Sequence, residues 1–259
     1  HLEDLLSCGE RVDGSSLFSY LEAGSSDLYV IPRFKTAFLN PFTDEPALDI
    51  LCSFYNNQGE PLASAPEYIL RKAATRFRET TGLNLKALGE LEYYVISPVE
   101  PLYPAVDQRG YHNSGPFSKW EELRVEALAL IAQCGGYIKY GHNEVGNFTS
   151  GEEAFEQHEI EFLPVDIEDC ADQLTIAKWV LRMLAEKRKV EISFAPKITV
   201  GKAGSGLHFH MLIEKDGQNV VLEDGKLSPT TRKMIAGILD IADALTAFGN
   251  TIPTSYLRL

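Results

Sequence analysis

The sequence predicts an α+β protein whose strands carry its polar chemistry. Three observations predict this class. Residues 1–63 are rich in turns and strand-like segments, residues 64–259 alternate helical and strand-like segments, and acidic or imidazole side chains recur at alternate positions of several strands. The length of 259 residues allows two domains, and we place their boundary between residues 63 and 64, within a linker-like stretch at 59–66.

The first predicted domain consists of short strands joined by turns. The residues VDGSS at 12–16 have the composition of a tight turn. An apolar run at 28–31 predicts a strand that ends at Pro32, and a second strand is predicted at 48–55, before the turn residues NNQG at 56–59.

The second predicted domain mixes helices with longer strands. A capping-box pattern, Ser118 with Glu121, marks the start of one helix, and Ser228 followed by Pro229 opens another. Apolar residues at helical spacing predict helices near 66–80, 118–135, 176–184 and 228–248. Strands are predicted at 88–96, 137–145, 157–162, 190–194 and 207–213, the last turning through 215–217 into a hairpin partner at 219–222.

The composition argues against several functions. A formal net charge of −13 disfavours nucleic-acid binding, which needs a basic surface, and suits a protein that collects cations. No apolar run reaches membrane-spanning length, and the N-terminus lacks the basic-then-apolar pattern of a secretion signal. The cysteines Cys8, Cys52, Cys134 and Cys170 have no metal-finger or C-x-x-C spacing, so we expect free thiols in a reducing compartment, the cytosol.

Two glutamates on the same face of one predicted strand are the first indication of a functional site. Successive side chains of a strand point to opposite faces, so Glu90 and Glu92 share a face. Two adjacent carboxylates repel one another unless a cation lies between them or water solvates both. A solvated outer face of a sheet is the simpler interpretation for this strand taken alone.

The same pattern recurs on further strands. Polar side chains share a face at His142 and Glu144, at Gln157, Glu159 and Glu161, and at His208 and His210. Such a set predicts a polar-lined cavity, and carboxylates with an occasional imidazole suit Mg²⁺ or Mn²⁺. The absence of nearby cysteines disfavours structural zinc. A satisfied or exposed side chain is the alternative for any single histidine.

A glycine-rich loop, GKAGSG at 201–206, precedes the strand that carries the two histidines. It is not a P-loop, because a P-loop precedes a helix and ends in Gly-Lys-Ser/Thr, and it is not a dinucleotide fingerprint. The loop either brings its backbone close to a ligand or forms only a turn. No G-x-S-x-G elbow or Ser/His/Asp order supports a nucleophilic hydrolase.

Taken in order, these motifs resemble those of the glutamine synthetase family, especially its bacterial type I branch. The resemblance rests on DGSS at 13–16, GELEYY at 89–94, NEV at 143–145, QHEI at 157–160, FAPK at 194–197, GSGLHFH at 204–210, LTAFGN at 245–250 and SYLRL at 255–259. It implies part of an N-terminal β-grasp domain over 1–63. It further implies a catalytic domain over 64–259, with a curved, mainly antiparallel sheet flanked by helices.

The resemblance also implies ligands for two cations, Mg²⁺ or Mn²⁺. Glu92, Glu144 and Glu159 match the carboxylates that hold the first cation. Glu90 and His208 match two ligands of the second cation.

Other residues match substrate-binding positions of the family. His210 corresponds to a residue beside the ATP phosphates, Gly204 to a backbone contact with glutamate, and Arg258 to a substrate-binding, catalytic arginine. Asp13 corresponds to the acid that helps to bind and deprotonate ammonium across a subunit boundary. The implied reaction joins ammonia to the glutamate side chain through a γ-glutamyl phosphate, with ATP as substrate. The implied assembly is a homo-oligomeric ring with sites between subunits, without nucleic acid or membrane.

The chain also departs from the type I pattern. Ala203 replaces a usual Asn, Lys139 a usual Glu and Leu212 a usual Ser, and residues 147–155 form an insertion. The family's substrate flap, its arginine segment and the last ligand of the second cation would lie beyond residue 259. We therefore expect this chain to be part of a longer enzyme and to be inactive alone.

Three alternatives stay open at this point. Ala203 and Lys139 allow a relative that ligates glutamate to a larger amine of the polyamine type. The incomplete second cation site allows a non-catalytic member that serves assembly or regulation. A metal-free α/β domain is the third alternative, and the ordered motifs disfavour it.

Overall fold

The computed structural model describes residues 2–21, 26–100 and 102–258, which divide into two units, His1–Gly82 and Leu83–Leu259. Both units combine helices with antiparallel strands, which confirms the predicted α+β class. The predicted domain boundary between residues 63 and 64 stays a prediction.

The first unit contains short elements around a small sheet. Its helices are α1 (Leu2–Cys8), α2 (Gly14–Leu17) and α3 (Pro66–Thr81), and its strands are β1 (Glu10–Asp13), β2 (Asp27–Pro32), β3 (Phe38–Leu39), β4 (Leu48–Asp49) and β5 (Cys52–Tyr55). Strands β1, β2 and β5 form an antiparallel sheet with β2 in the centre, while β3 pairs with β4. Helix α3 ends at Gly82 in the left-handed conformation, φ 69°, which glycine adopts without strain.

Two predictions for the first unit were wrong in detail. The strand predicted at 48–55 is two strands in different sheets, because the backbone of Leu51 bonds to the turn that contains Arg33 and Thr36 instead of continuing either ladder. The turn predicted at 12–16 contains the short helix α2, since the Asp13 side chain accepts a hydrogen bond from the Ser15 backbone N–H and caps it.

The second unit has helices α4 (Glu121–Gln133), α5 (Ile167–Arg188), α6 (Pro229–Asp240) and α7 (Ala242–Gly249). Ser228 caps α6 as predicted, accepting from the Thr231 backbone N–H at 3.2 Å. The helix predicted over 228–248 is interrupted at Ile241, which leaves the helical conformation (φ −109°, ψ 17°). Along the described residues, no helix combines the length and apolar character needed to cross a bilayer.

A seven-stranded antiparallel sheet dominates the second unit. Its strands are β6 (Asn84–Pro98), β7 (Ile138–Ser150), β8 (Glu153–Phe162), β9 (Val165–Asp166), β10 (Glu191–Ser193), β11 (Leu207–Lys215) and β12 (Gln218–Asn219). A separate hairpin consists of β13 (Leu222–Glu223) and β14 (Lys226–Leu227). The order is β12-β11-β6-β8-β7, with β9 and β10 also paired to β6. The predicted hairpin turn is confirmed, with positive φ at Asp216 and Gly217. Residues 147–155, predicted to be an insertion, form the end of the β7–β8 hairpin, which turns at Gly151.

Helices α4 and α5 cover one face of this sheet and form the core with it. Leu91, Tyr93 and Val95 of β6 are fully buried on that face, and a Cβ at Gly89 would lie 2.8 Å from the Leu174 side chain of α5. The residues that alternate with these on β6, among them Glu90 and Glu92, therefore point to the other face. We call this other face, which carries Glu90 and the residues in register with it, the polar face.

The start of α4 differs from the prediction. Trp120 is the N-cap residue and makes no side-chain capping bond, so the predicted capping box is wrong. Ser118 instead donates to Glu156 at 2.7 Å, and the Glu156 carboxylate accepts from the backbone N–H groups of Lys119 and Trp120. A carboxylate from β8 thus replaces the local cap at the positive end of the helix.

Replacement of Glu156 by glutamine is expected to destabilise the fold in a pH-dependent way. Burial opposes the charge, but the His158 imidazole and the Lys119 and Ser118 donors lower the Glu156 pKa from 4.5 to about 2. A depressed carboxyl pKa stabilises the fold above pH 4.5, and this stabilisation is lost as the pH falls towards 2. We expect Glu156→Gln to lower the free energy of unfolding by about 3 kcal/mol at pH 7.

Denaturant unfolding at pH 7 and pH 3 measures this difference, which should shrink by roughly half at the lower pH. The matched control is Glu153→Gln, an exposed glutamate of the same strand, which should leave the unfolding free energy unchanged at both pH values. A loss for Glu156→Gln that is equal at both pH values would contradict the assigned cause.

Candidate metal centre

Strand register gathers the predicted acidic and imidazole residues on the polar face. On the central strand β6, Glu90 lies opposite His208 of β11 on one side and Glu161 of β8 on the other. Glu92 lies opposite Glu159 of β8. Antiparallel pairing places such partners within reach of one another, so the shared face becomes a shared site.

Glu90, Glu159 and His208 form one potential ligand group. Their oxygen and nitrogen atoms all lie within 4.8 Å of one another. Nδ1 of His208 is 3.1 Å from Oε2 of Glu90 and 3.9 Å from Oε1 of Glu92. Two oxygen donors with one imidazole, and a third carboxylate at its side, match the ligands that Mg²⁺ and Mn²⁺ accept.

His142, Glu159 and Glu161 form a second group, with ligand atoms also within 4.8 Å of one another. Nε2 of His142 is 3.1 Å from Oε2 of Glu159, while its Nδ1 lies 2.9 Å from the Asn143 carbonyl oxygen. The His142 ring stacks on His112, with centroids 4.5 Å apart. This group shares Glu159 with the first, so the two lie side by side on the polar face.

Glu144 adjoins the two groups without belonging to either. It lies on β7 where the pairing with β8 shifts register between Asn143 and Asn147. Its Oε1 is 3.8 Å from Nδ1 of His142, and one carboxylate oxygen accepts from the Val145 backbone N–H. Its charge is close enough to raise the pKa of Glu92 and of Glu159.

Electrostatic strain on the polar face indicates where a cation fits. Burial, together with the charges of Glu92, Glu144, Glu90 and Glu161, raises the pKa of Glu159 to about 8. Burial and Glu144 also raise the pKa of Glu92. Carboxylates crowded in this way are stabilised by a proton or a cation among them. The donor chemistry and this crowding both fit a divalent cation.

Glu161 behaves differently from its neighbour Glu159. Burial opposes its charge, but Nζ of Lys139 lies 2.7 Å from its Oε2 and, with Tyr140, keeps its pKa below the ordinary value. The polar face therefore contains one carboxylate that is neutralised by a side chain and others that are not fully compensated.

The glycine-rich loop at 201–206 lies against the same carboxylates. The Gly204 carbonyl accepts from Gln157, and a Cβ at Gly206 would lie 2.7 Å from Nε2 of His208 and 3.0 Å from Oε1 of Glu92. Arg258 donates to the Ser205 carbonyl at 2.8 Å. Gly204 and Arg258, both predicted to bind substrate, are thus brought to the edge of the metal groups.

His210 and Asp13 occupy different settings. His210 is exposed on β11, with Nε2 2.9 Å from Oε1 of Glu90. Asp13 belongs to the first unit, where its carboxylate accepts hydrogen bonds from the hydroxyls of Ser15, Ser16 and Ser26. These bonds, with Ser16 the strongest, hold the pKa of Asp13 well below its usual range.

The geometry brings together Glu90, Glu92, Glu159 and His208, with Glu144 beside them; the roles assigned to these residues stay predictions. Sequence reasoning placed His142, Glu161 and Gln157 among the residues of the polar cavity but assigned none of them as a ligand or a substrate-binding residue. The signal was present, because all three share a face with residues that were assigned.

Comparison with known proteins shows which family the chain belongs to. Residues 1–57 match the family model described as the β-grasp domain of glutamine synthetase, and residues 63–259 match the one described as its catalytic domain. These matches define an α+β protein with a ligase-type catalytic domain, in agreement with the predicted β-grasp and curled antiparallel sheet. The chain belongs to the glutamine synthetase family.

Relatives named glutamine synthetase resemble the chain along most of its length. The protein of Thermus thermophilus is 30% identical over 95% of this chain, and that of Thermotoga maritima 30% over 97%. The chain spans 56% and 57% of these two relatives.

Two solved structures share the fold. A Plasmodium falciparum glutamine synthetase has a TM-score of 0.86 at 21% identity, and the alignment covers 100% of this chain and 56% of that protein's chain. A GmaS/ADP complex has a TM-score of 0.86 at 20% identity, covering 100% and 59%.

Glu159 is expected to release a proton when a divalent cation binds. With a pKa of about 8, its carboxyl is mostly protonated at pH 7 in the metal-free protein, so the cation must displace that proton. The apparent Mn²⁺ affinity should rise by up to roughly tenfold per pH unit as the pH increases towards 8, and then level off. Calorimetric titration in buffers of different ionisation enthalpy counts the protons released, which we expect to be about one at pH 7.

Glu159→Gln should abolish this proton release, whereas Glu153→Gln should leave it unchanged, because Glu153 is exposed and far along the β8 strand. Mn²⁺ binding by the unmodified protein without proton release, and with constant affinity between pH 6 and pH 8, would contradict the displacement of a proton from Glu159 by the cation.

Proposed function

We propose that the protein containing this chain uses ATP to join ammonia to the side-chain carboxylate of glutamate, with glutamine as the product. The observation that carries the proposal is the convergence of Glu90, Glu92, Glu159 and His208 on one face, in a chain of the glutamine synthetase family. ATP first phosphorylates the glutamate side chain, and ammonia then displaces phosphate from this γ-glutamyl phosphate.

The carboxylate groups would hold two cations, Mg²⁺ or Mn²⁺. Glu92, Glu144 and Glu159 are assigned to the first, and Glu90 and His208 to the second. Divalent cations supply charge neutralisation around the phosphoryl group in transfer. The protein's own contribution is to hold the assigned ligands on strands, four of them in register on β6, β8 and β11, which limits the reorganisation needed at the moment of reaction.

The remaining assigned residues surround this centre. His210 reaches the nucleotide phosphates from the exposed end of β11, as its position beside Glu90 allows. The backbone of Gly204 contacts glutamate, and Arg258 binds substrate from the loop edge. A guanidinium is suited to this role because it stays charged and offers several donors to carboxylate or phosphate oxygens.

Asp13 is proposed to bind ammonium and to assist its deprotonation. Its hydroxyl partners keep the carboxylate ionised at neutral pH, which favours a cationic ligand. We infer that the protein assembles as a homo-oligomeric ring in which Asp13 serves the site of a neighbouring subunit. The four free cysteines agree with the proposed cytosolic location.

A second candidate is the ligation of glutamate to a larger amine. Two departures favour it: Ala203 offers only a methyl group where the type I pattern has an amide, and Lys139 forms an ion pair with Glu161 where that pattern has an acid. Both changes alter the shape or charge of the cavity rather than its metal ligands, so the phosphorylation chemistry is common to both candidates.

Phosphate release from the full-length protein separates these candidates. With ATP, glutamate and Mg²⁺, ammonia should support turnover, whereas methylamine, putrescine and spermidine should support little. Turnover with a polyamine but not with ammonia would establish the second candidate. Absence of turnover with every amine, together with absence of Mn²⁺ binding, would favour a non-catalytic member of the family.

Glu92→Ala is expected to abolish phosphoryl transfer while the fold is retained. The variant loses one ligand of the first cation, and we expect Mn²⁺ affinity to fall at least about tenfold. Calorimetry measures the affinity, and circular dichroism checks the fold. Glu191→Ala, an exposed glutamate on β10, is the matched control and should bind Mn²⁺ normally. Normal turnover of Glu92→Ala would count against the assignment.

Asp13→Asn is expected to impair the use of ammonia more than the binding of ATP. Asparagine keeps the size of the side chain but removes the negative charge that attracts ammonium. The KM for ammonium should rise by about tenfold or more, a loss of the size expected for one charged partner, while the KM for ATP stays within about twofold. Equal increases in both constants would contradict the role given to Asp13.

A further inference from the structure

Gln157 is a buried amide to which none of the roles above has been assigned. It lies on β8 opposite Tyr94, on the polar face, and is only 1% exposed. A buried amide needs hydrogen-bond partners for its donors and its acceptor. The partners of Gln157 come from three different elements around the metal centre.

Both ends of this amide are occupied. Its nitrogen Nε2 donates to Oε2 of Glu92 at 2.8 Å and to the carbonyl oxygen of Gly204 at 2.9 Å. Its oxygen Oε1 accepts from the backbone N–H of Gly146 at 3.0 Å. Because the Gly146 N–H can only donate, it determines which end of the amide is the oxygen. The two protons on Nε2 are therefore directed at Glu92 and Gly204.

The first of these bonds selects the oxygen of Glu92 that faces the metal groups. Oε2 is held by Gln157, which leaves Oε1, 3.9 Å from Nδ1 of His208, as the free oxygen. Residues that orient a metal ligand through a hydrogen bond commonly change metal affinity when they are replaced.

The second bond ties the glycine-rich loop to the same carboxylate. Gly204 is held by Gln157, the Ala203 carbonyl accepts from the Tyr94 hydroxyl at 2.8 Å, and the Gly206 carbonyl accepts from the Glu92 backbone N–H at 3.3 Å. The close approach of Gly206 to Oε1 of Glu92 leaves little free space between loop and ligand. Movement of either therefore requires movement of Gln157.

We propose that Gln157 is a positioning residue that couples the orientation of Glu92 to the conformation of the loop at 201–206. A divalent cation at Glu92 thereby orders the loop whose Gly204 is assigned to glutamate. The inference rests on the proposed metal centre and extends it, since it predicts that cation binding prepares the amino-acid site before substrate arrives.

Gln157→Met tests the proposal against a matched control. Methionine has a similar volume and no amide, so it removes the hydrogen bonds that Nε2 donates and the one that Oε1 accepts from Gly146. The control is Gln173→Met, a buried glutamine of α5 whose oxygen accepts from the Tyr137 backbone N–H, on the helix-covered side. We expect Mn²⁺ affinity to fall about 10- to 100-fold in Gln157→Met and to stay within about twofold in Gln173→Met. A general loss of stability would affect both variants alike.

Hydrogen exchange of the backbone amides at 201–206 provides a second measurement that requires no turnover. In the unmodified protein Mn²⁺ should slow this exchange, and in Gln157→Met the effect of Mn²⁺ should be lost. Unchanged Mn²⁺ affinity in Gln157→Met, or loop exchange in the unmodified protein that does not respond to Mn²⁺, would overturn the proposal. If Gln157→Met does not fold, hydrogen exchange of the loop in the unmodified protein still tests the proposal, because exchange that does not respond to Mn²⁺ would overturn it.

These outcomes are distinct from those that test the ligase assignment. Slower loop exchange and normal Mn²⁺ binding in a protein that fails to use ammonia would contradict the proposed reaction and support the coupling through Gln157. Failure of the unmodified protein to bind Mn²⁺ would overturn both.

Discussion

The mutual repulsion of carboxylates on one face of the large sheet is the constraint on which the rest of this structure depends. Glu90, Glu92 and Glu159 are fixed by strand register at distances where like charges oppose one another, and burial weakens the screening that water provides. Burial, and after it the charges of the neighbouring glutamates, raises the pKa of Glu159 to about 8. Such an arrangement is stabilised by protons or by cations that share the site, and this supports the proposed metal centre.

Apolar burial on the opposite face of the same strands stabilises the fold and offsets this repulsion. Leu91 and Tyr93 are buried beneath α4 and α5, and Gly89 lets Leu174 approach the sheet closely. Because side chains alternate along a strand, a slip of one residue would expose this apolar set and bury the glutamates against the helices. Hydrophobic burial therefore fixes the register, and the register in turn fixes the geometry of the metal centre. Residues far from any ligand thus determine ligand positions.

Sequence reasoning succeeded where one strand carried the whole signal and failed where the signal came from another element. Alternation placed Glu90 and Glu92 on one face without knowledge of the fold, and ordered motifs then identified the family. The start of α4 was predicted wrongly because Ser118, a residue type that often caps helices, donates its hydrogen bond to Glu156 instead. Glu156 lies 38 residues away in the sequence. Likewise, nothing in the local pattern near Gln157 shows that its amide meets both a metal ligand and a loop.

Lys139 stands where the resemblance to the type I pattern implies an acid, and its charge acts on one particular carboxylate. Its ammonium lies against Glu161 and keeps that carboxylate ionised, whereas Glu159, on the same face two residues earlier, has its pKa raised. A fixed cation supplied by the chain thus compensates one end of the polar face and leaves the repulsion concentrated around Glu92 and Glu159. The glycine-rich loop contacts this same end, where we propose that divalent cations bind. Lys139 therefore compensates Glu161 and leaves uncompensated the carboxylates to which the cations are assigned.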